Sequence, residues 1–412
     1  MRNTTIAVVD RGLFANLAIR LAPYFKRVLY NISVESAAPK SSIDCIGEGF
    51  ENVEVIDNIW DHIDEIDLFV FPDVYDGALQ EYLKKIGKPV WGSGKLERWE
   101  TDRWYFKKFL QKLGLPFVDG IHIKGMDALI DILKETNNKV VKTSKYRGDF
   151  ETLQHKDWKL TEPLLDDLEH NLGARKYKFE FIVEELEDSI AEIGYDGYIV
   201  KGEFPSIACW GLEVKGSSYL GKVTNYNELP ESLKVINDTL APHMKNMTGF
   251  FSTEVLIQPK TAFLIDPCMR MGQPPGESYM ELFENLPEII FAGAQGDLIE
   301  PEVKYKYFGQ VVLQSEWSLK HWNPITVPKE LEKWLKLVYP TKINNQPYVV
   351  PEVGQTSVVG WMVALGNSPQ EVIDTLKDRV KQVEGIGIES PTDSLDEALN
   401  RLKKLEAVGI KF

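Results

Sequence analysis

The sequence predicts an α/β fold in which a parallel sheet opens the chain and mixed α+β structure follows. Short apolar runs alternate with helical patterns up to residue 95, as is typical of parallel strands with helices on their faces. Further along, two runs rich in β-branched and aromatic residues flank a polar turn at 258–261, which predicts a β-hairpin. Near the carboxyl end, a strand, a turn and an amphipathic helix starting at Pro369 indicate a closing α+β segment.

The opening sheet is predicted to have strands at residues 5–9, 27–32, 53–56, 68–71 and 89–91, with a helix at 13–24. Gly12 stands alone after the first strand, so the Gly-x-Gly-x-x-Gly fingerprint of dinucleotide-binding oxidoreductases is missing. Ligands of such sheets lie at the carboxyl ends of the strands, which makes Asp10, Gly12 and Asp73 candidates for a substrate pocket. The alternative is that both aspartates cap helices or turns.

Composition and charge limit the classes of function. The 412 residues carry a formal net charge of −15 without a dominant Lys/Arg cluster, so we expect no nucleic-acid partner. No apolar run approaches the roughly 18 residues of a membrane span, and the chain enters a strand almost at once, so we expect neither secretion nor a membrane partner. Three widely spaced cysteines without a Cys-x-x-Cys pair predict neither a disulfide framework nor a zinc site, and they fit a cytoplasmic protein.

A helix is predicted in the segment after residue 95. Thr101 or Asp102 would cap its start, and Gly114 and Pro116 would end it. The apolar stripe of this helix consists of Phe106, Phe109, Leu110 and Leu113. A second helical stretch is predicted much later in the chain, from 276 to 294.

Lys142 lies in the apolar run Val-Val-Lys-Thr at 140–143, which predicts a strand. A lysine in such a strand is costly unless an anion pairs with it, and phosphate is a natural partner. The alternative is an edge-strand lysine. A further strand at 178–186 brings Glu184, Glu185 and Leu186 to a domain boundary, where backbone groups commonly bind a nucleotide base. The acidic run at 184–188 could also be a solvated turn.

The predicted hairpin of residues 250–257 and 262–267 places two carboxylates opposite each other. Folding about Lys260 brings Glu254 level with Asp266 or its neighbour, and like charges in such positions repel. A cation would relieve the repulsion. Mg²⁺ suits this hairpin because it takes one or two protein carboxylates and fills its shell with phosphate and water, and Arg270 follows closely. The alternative is a solvated hairpin whose acids face water.

Five segments together resemble a known family. They are DLFVFPDVYDGALQEYLKKIGKPVWG (67–92), ETDRWYFKKFLQKLGLP (100–116), VVKT (140–143), FIVEEL (181–186) and LIDPCMRMGQP (264–274). In order and spacing they resemble the ATP-grasp ligases, most closely glycinamide ribonucleotide synthetases, over essentially the whole chain. This resemblance implies an ATP-grasp fold with a Rossmann-like amino-terminal domain at 1–95. It further implies an ATP-grasp domain at 96–300, which includes a small lid at 120–202, and a closing domain at 301–412.

The resemblance also implies roles for individual residues. The family's lysine at the start of the second segment is Arg103 here, its asparagine metal ligand is Cys268, and its glycine-rich lid keeps one glycine. The alternatives are a surface arginine at 103 and a salt-bridged surface loop in place of the lid. The implied ATP-binding residues are Arg103, Lys142, Lys145, Arg147, Glu184, Glu185, Leu186 and Glu192, the metal ligands are Glu254, Asp266 and Cys268, and the catalytic residue is Arg270.

The implied activity is that of a ligase that consumes ATP with Mg²⁺ and activates a small-molecule carboxylate as an acyl phosphate. An amine, or a thiol, then attacks the acyl carbon. The identities of the carboxylate and the amine, the pathway and the oligomeric state do not follow from the sequence. The alternative function is a catalytically diverged scaffold that binds a nucleotide or a protein partner. Cys268, Gln273 and the altered lid point to that alternative.

Overall fold

The computed structural model describes residues 1–32, 42–145, 152–353 and 356–412. Across these ranges no helix is both long and apolar enough to cross a membrane. The chain forms two compact units. The first contains Met1–Glu97, Ala191–Glu254 and Cys268–Phe412, and the second contains Arg98–Ile190 and Val255–Pro267. This division groups the chain differently from the three predicted domains, whose boundaries remain a prediction.

Both units contain helices and strands. The helices are α1 (Ala15–Leu21), α2 (Gly77–Lys85), α3 (Arg98–Thr101), α4 (Arg103–Leu113), α5 (Met126–Glu135), α6 (Trp158–Leu172), α7 (Glu231–Leu240), α8 (Gly276–Leu282), α9 (Leu286–Gln295), α10 (Pro369–Val380) and α11 (Asp393–Ala407). The strands are β1 (Thr5–Asp10), β2 (Arg27–Ile32), β3 (Val53–Ile56), β4 (Leu68–Val70), β5 (Val90–Trp91), β6 (Gly120–Lys124), β7 (Lys139–Thr143), β8 (Thr152–His155), β9 (Glu180–Glu185), β10 (Ala191–Val200), β11 (Ile207–Val214), β12 (Ser218–Asn225), β13 (Thr248–Ile257), β14 (Ala262–Cys268), β15 (Tyr307–Gln314), β16 (Asn323–Pro324), β17 (Leu335–Leu337), β18 (Pro340–Ile343), β19 (Gln346–Val349) and β20 (Val358–Gly366).

The first unit opens with the predicted parallel sheet, in the strand order β3-β2-β1-β4-β5. Every residue of β1 is buried because the sheet is covered on both faces. Ile6 and Val8 pack into one apolar core, and the alternate residues Ala7 and Val9 pack into another. The parallel arrangement is therefore confirmed, although the helix predicted at 13–24 is shorter, since α1 covers only Ala15–Leu21.

A larger antiparallel sheet occupies the rest of the first unit. Its strands in that unit follow the order β13-β10-β11-β12-β15-β20-β17, and a small sheet of β16-β19-β18 lies apart from it. Helix α10 begins as predicted, with Pro369 in its first turn and the Ser368 hydroxyl accepting from the Glu371 amide at 3.2 Å.

The second unit has a four-stranded antiparallel sheet in the order β6-β9-β7-β8. Apolar residues of β6, β7, β9, α5 and α6 form its core. Helix α4 starts where the sequence predicts, because the Asp102 carboxylate accepts from the Tyr105 amide at 3.1 Å. It ends at Gly114, whose φ of 69° lies in the left-handed region. The predicted hairpin is also present, with the end of β13 beside β14 and a Gln258 N to Thr261 O bond of 2.9 Å.

One element differs from its prediction. The sequence predicts a helix from 276 to 294, but α8 ends at Leu282 and α9 begins at Leu286. Pro287 lies in the first turn of α9, where a proline is tolerated, whereas inside a continuous helix it would remove a hydrogen bond and clash with the preceding turn. The prediction of a single long helix was therefore wrong, although Pro287 indicates the break in the sequence.

Candidate functional site

Two charged clusters, one in each unit, contain six of the fifteen predicted site residues. In the second unit, Arg103 is the first residue of α4 and Lys107 follows four residues later, so both lie on one face of the helix. Lys142 lies on β7 opposite Ile182 of the neighbouring strand β9, and Glu184 lies two residues further along β9. Asp266 lies on β14. We call these five side chains the buried charge cluster.

Ion pairs connect the whole buried charge cluster. Glu184 forms ion pairs with Lys107 Nζ at 2.8 Å and with Lys142 Nζ at 3.3 Å. Asp266 lies 3.7 Å from Lys142 Nζ and 3.7 Å from Arg103 Nε. Arg103 also donates to the Thr143 carbonyl at 3.0 Å, and the relative exposure of Glu184 is only 4%.

Lys142 keeps its charge in this environment. Burial opposes the charged form, but the carboxylates of Asp266 and Glu184 outweigh burial and raise the pKa of Lys142. A buried cation that stays protonated at neutral pH requires anionic neighbours. The sequence predicted phosphate as the partner of Lys142. The structure places two protein carboxylates beside this lysine, and its contact with phosphate remains a prediction.

The other predicted nucleotide residues of the second unit lie nearer to solvent. Lys145 Nζ is 3.3 Å from Glu180, and 48% of its side chain is exposed. Glu185 pairs with Lys139, and the Leu186 amide donates to the Asn138 carbonyl at 3.0 Å. Arg147 falls outside the described residues.

An acidic cluster lies on the large sheet of the first unit. Glu192 on β10 is directly opposite Glu213 on β11, and Glu254 is on β13, the other neighbour of β10. One carboxylate oxygen from each glutamate lies within 4.8 Å of the others. Lys215 Nζ is 3.2 Å from Glu192, 3.6 Å from Glu213 and 3.4 Å from Glu254. We call the three glutamates the acidic triad.

Burial and mutual repulsion change how the acidic triad titrates. Burial, followed by the charge of Glu254, raises the pKa of Glu192 to about 8. Burial also raises the pKa of Glu213, although Lys215 opposes that shift. Lys215 itself is 67% exposed, so water screens its attraction to the glutamates. Three hard oxygen donors that repel each other fit a divalent cation such as Mg²⁺.

The sequence placed Glu254 level with Asp266 or its neighbour. Strands β13 and β14 are neighbours in the sheet, and Asp266 forms ion pairs with Arg103 and Lys142. A metal ion shared by Glu254 and Asp266 remains a prediction. Glu192 was expected to bind ribose, and Glu213 was not predicted at all. The pairing register of β10 with β11 brings Glu192 and Glu213 together, and this register cannot be read from a local sequence pattern.

A loop of the first unit holds the predicted catalytic arginine. Arg270 Nε lies 3.7 Å from Asp73 Oδ1, and each side chain is 13% exposed. The Met271 amide donates to the Pro72 carbonyl at 2.9 Å, which fixes the loop beside the end of β4. The Cys268 thiol lies 3.6 Å from the Arg270 carbonyl oxygen. The predicted substrate residue Asp73 and the predicted catalytic residue Arg270 are thus neighbours.

A buried carboxylate that the sequence did not single out supports the same loop. Glu277 at the start of α8 accepts from Gln273 Nε2 at 3.0 Å and from Gln310 Nε2 at 2.8 Å. Burial raises the pKa of Glu277, although the hydrogen bond from Gln310 opposes that shift. The residues after Arg270 are therefore held from two elements, α8 and β15.

Asp10 orders the turn after β1. Its carboxylate accepts from the amides of Gly12 at 2.8 Å and Phe14 at 2.5 Å, and from the Tyr30 hydroxyl at 2.5 Å. Burial outweighs these bonds and raises the pKa of Asp10 to about 6. Gly12 has a φ of +94°, which favours glycine. This geometry supports the capping alternative for Asp10, and its role in substrate binding remains a prediction.

Several solved structures share this architecture. Phosphoribosylamine–glycine ligase from Thermotoga maritima is 14% identical with a TM-score of 0.67, over 93% of this chain and 98% of that chain. The chain has the ATP-grasp fold. The biotin carboxylase domain of 2-oxoglutarate carboxylase from Hydrogenobacter thermophilus, in complex with MgADP and bicarbonate, is 10% identical with a TM-score of 0.67, over 99% of each chain. N5-carboxyaminoimidazole synthetase from Staphylococcus aureus, complexed with ADP, is 13% identical with a TM-score of 0.62, over 93% of this chain and 98% of that chain.

These likenesses confirm the predicted fold class. No protein-family model matches the sequence, and neither does the sequence of any curated protein. At 10–14% identity the likeness extends to the fold and not to the reaction.

Proposed function

We propose that the chain is an ATP- and Mg²⁺-dependent ligase that joins a small-molecule carboxylate to an amine through an acyl phosphate. The observation that carries the proposal is the buried charge cluster, which gathers the three cations Arg103, Lys107 and Lys142 around Glu184 and Asp266. Several cations held close together favour an anionic ligand, and phosphate groups accept several charge-assisted hydrogen bonds. In this proposal Lys142 and Arg103 contact the nucleotide phosphates.

The fit for a metal rests on the acidic triad. Its carboxylates are close enough to share one ion, and their repulsion would be relieved by a divalent cation in place of Lys215. Mg²⁺, when bound, supplies positive charge that neutralises phosphate oxygens. In the proposal Glu254 and its neighbour Glu192 hold the metal, and Asp266 and Cys268 remain the other predicted ligands.

The reaction needs no covalent bond to the protein. A carboxylate oxygen of the substrate attacks the terminal phosphorus of ATP, the bond to the bridging oxygen breaks, and ADP leaves with that electron pair. The amine nitrogen then attacks the acyl carbon, phosphate leaves, and the nitrogen loses its extra proton to give the amide. The protein's contribution is positioning and charge neutralisation, with Arg270 pairing with oxygens of the transferred phosphoryl group.

The position of Arg270 supports this role. Its guanidinium is mostly buried beside Asp73, and the loop that carries it is anchored to Pro72 and Glu277. An arginine held in one place presents its donors to an anion with little loss of entropy. Asp73 would then orient the arginine rather than bind the substrate directly.

A specific observation favours a second candidate function, a scaffold that binds nucleotide without ligation. By the resemblance to the ATP-grasp ligases, Cys268 stands where that family has an oxygen ligand, and sulfur is a poor ligand for Mg²⁺. Under this alternative the buried charge cluster still binds ATP, but no ADP forms. The two functions therefore agree on binding and differ on turnover.

Binding of Mg²⁺-ATP to Lys142→Met and Lys139→Met, measured by titration calorimetry, tests the proposal. Both lysines lie on β7 and pair with glutamates, but Lys142 belongs to the buried charge cluster and Lys139 pairs with the exposed Glu185. We expect Lys142→Met to bind at least about tenfold more weakly, which corresponds to about 1.4 kcal/mol, and Lys139→Met to bind like the unchanged protein. Equal affinity in all three proteins would contradict the assignment of the nucleotide site.

A further inference from the structure

A cavity of about 650 Å³ lies in the first unit, outside both charged clusters. Helices α1 and α8, strand β17 and the hairpin of β18 and β19 contribute to its wall. None of the predicted nucleotide, metal or substrate residues lines it. The volume lies within the usual range for small-molecule sites, about 300–1,000 Å³.

The charge of the lining contrasts with that of the protein. Four cationic side chains and two carboxylates line the cavity, which gives it a net charge of +2, whereas the whole chain carries −15. The remaining wall is largely apolar, with Ile19, Tyr24 and Leu335 among its members. A cationic and apolar lining in an acidic protein favours an anion with an apolar body. The charged lining residues are Arg20, Lys333, Lys336, Lys342, Glu281 and Glu332.

A buried ion pair belongs to this lining. Lys336 Nζ lies 2.6 Å from Glu281 Oε1, with the two side chains 8% and 12% exposed. Glu281 is on α8 and Lys336 is on β17, so the pair joins the two sides of the cavity. An anionic ligand can compete with Glu281 for Lys336 because both offer oxygen acceptors to the same cation.

Both helices at the cavity begin at predicted functional loops. Helix α8 follows the Arg270 loop, and its first turn contains Glu277, which holds Gln273. Helix α1 follows the turn ordered by Asp10, and its Arg20 donates to the Met280 carbonyl of α8 at 3.0 Å. A ligand that shifts either helix from the cavity side would therefore move a predicted functional loop at its other end.

We propose that this cavity is a regulatory site for a small organic acid with an aromatic or branched aliphatic body. The acid group pairs with the cations of the lining, and the apolar body packs against Ile19 and Leu335. Binding acts on the Arg270 loop through Glu281 and α8. This site is independent of the proposed ligase function, because a scaffold that never turns over ATP would bind the same ligand.

The test uses 8-anilinonaphthalene-1-sulfonate, a fluorescent apolar anion, and its uncharged relative N-phenyl-1-naphthylamine. The double variant Lys333→Gln/Lys342→Gln removes two charges from the rim of the cavity, where neither side chain is part of the buried core. Its control, Lys403→Gln/Lys404→Gln, makes the same change of charge on α11, away from the cavity. Fluorescence titrations give the dissociation constant of each probe for the three proteins.

We expect the unchanged protein to bind one equivalent of the sulfonate, the rim variant to bind it about tenfold more weakly, and the control to bind it as the unchanged protein does. The uncharged probe should bind the unchanged protein and the rim variant equally. Sulfonate binding should also change hydrogen exchange at the amides of 277–282. Absence of saturable sulfonate binding, or equal binding by the rim variant and the control, would overturn the site. The proposal would also be overturned if the chain self-associates and binds the probe only after the oligomer dissociates, because a second copy of the chain would then cover the cavity.

Discussion

Replacing Glu184 by glutamine should destabilise the second unit more than any other single change of charge in its buried cluster. Glu184 is 4% exposed and contacts both Lys107 at 2.8 Å and Lys142 at 3.3 Å. Removing one partner of a buried ion pair typically costs about 3–5 kcal/mol because the other charge stays buried and uncompensated. Lys142 keeps Asp266 at 3.7 Å and Lys107 keeps the Val118 carbonyl at 2.6 Å, so we expect the lower end of that range, about 3 kcal/mol.

The neighbouring residue provides a matched control. Glu185→Gln makes the same chemical change one position further along β9, but the Glu185 side chain is 60% exposed and pairs with Lys139 near the surface. Exposed pairs contribute about 0–1 kcal/mol, so the control should lose no more than that. The two variants therefore separate the effect of burial from the effect of losing a carboxylate.

Hydrogen exchange under native conditions is the suitable assay, because a chain with two compact units need not unfold in one step. The amides of β7 and β9 report the opening of the second unit directly. A double-mutant cycle with Lys107→Met gives the coupling between Glu184 and that lysine, expected at about 1–3 kcal/mol for residues in contact. Saturating Mg²⁺-ATP should slow exchange in all variants if phosphate binds the lysines.

Equal protection of β7 in Glu184→Gln and Glu185→Gln would refute this reasoning. It would mean that water reaches the lysines and that the cluster is not buried in solution. A large loss in Glu184→Gln without coupling to Lys107 would also contradict it, because the carboxylate would then act through other contacts.

Three further outcomes follow from the structure. Mg²⁺ should raise the melting temperature more at pH 9 than at pH 6, because the pKa of Glu192 is about 8 and a proton competes with the metal at the lower pH. Without metal, the raised pKa of Glu192 favours the folded state at low pH. This contribution to stability falls as the pH rises from about 4.5 through 8. Gly12→Ala should lower the free energy of unfolding by about 1–3 kcal/mol in denaturant titrations, since its φ is +94° and an added Cβ would lie 2.7 Å from Ile46 Cδ1. Cys268→Asn should lower the Mg²⁺ concentration needed for half-maximal ADP formation, and an unchanged requirement would place residue 268 outside the metal shell.

Local features of the fold were readable from the sequence. The full burial of β1 followed from its unbroken apolar run, and the start of α4 followed from Asp102. The break between α8 and α9 was also readable, because Pro287 favours the first turn of a helix over its interior, but the prediction overlooked it. These features depend on residues that are close in sequence, which is why a single sequence reveals them.

The candidate site was only partly predictable. An anionic neighbour for Lys142 followed from the cost of burying a lysine, but its identity, Glu184 and Asp266, depends on how β7 pairs with β9 and where β14 lies. The acidic triad likewise depends on the register of β10 with β11, which places Glu192 opposite Glu213. Register and long-range packing arise from the whole fold, so no short motif contained them.

Trapping of an activated carboxylate tests the central claim most directly. The protein is incubated with ATP, MgCl₂, a pool of small carboxylates and hydroxylamine, which converts acyl phosphates to stable hydroxamates. Mass spectrometry identifies the hydroxamate, and a coupled assay measures ADP. The proposed ligase predicts ADP and one hydroxamate in equal amounts, both strongly reduced in Lys142→Met. ATP binding without ADP or hydroxamate above the protein-free blank, with any carboxylate in the pool, would contradict the ligase and leave the nucleotide-binding scaffold.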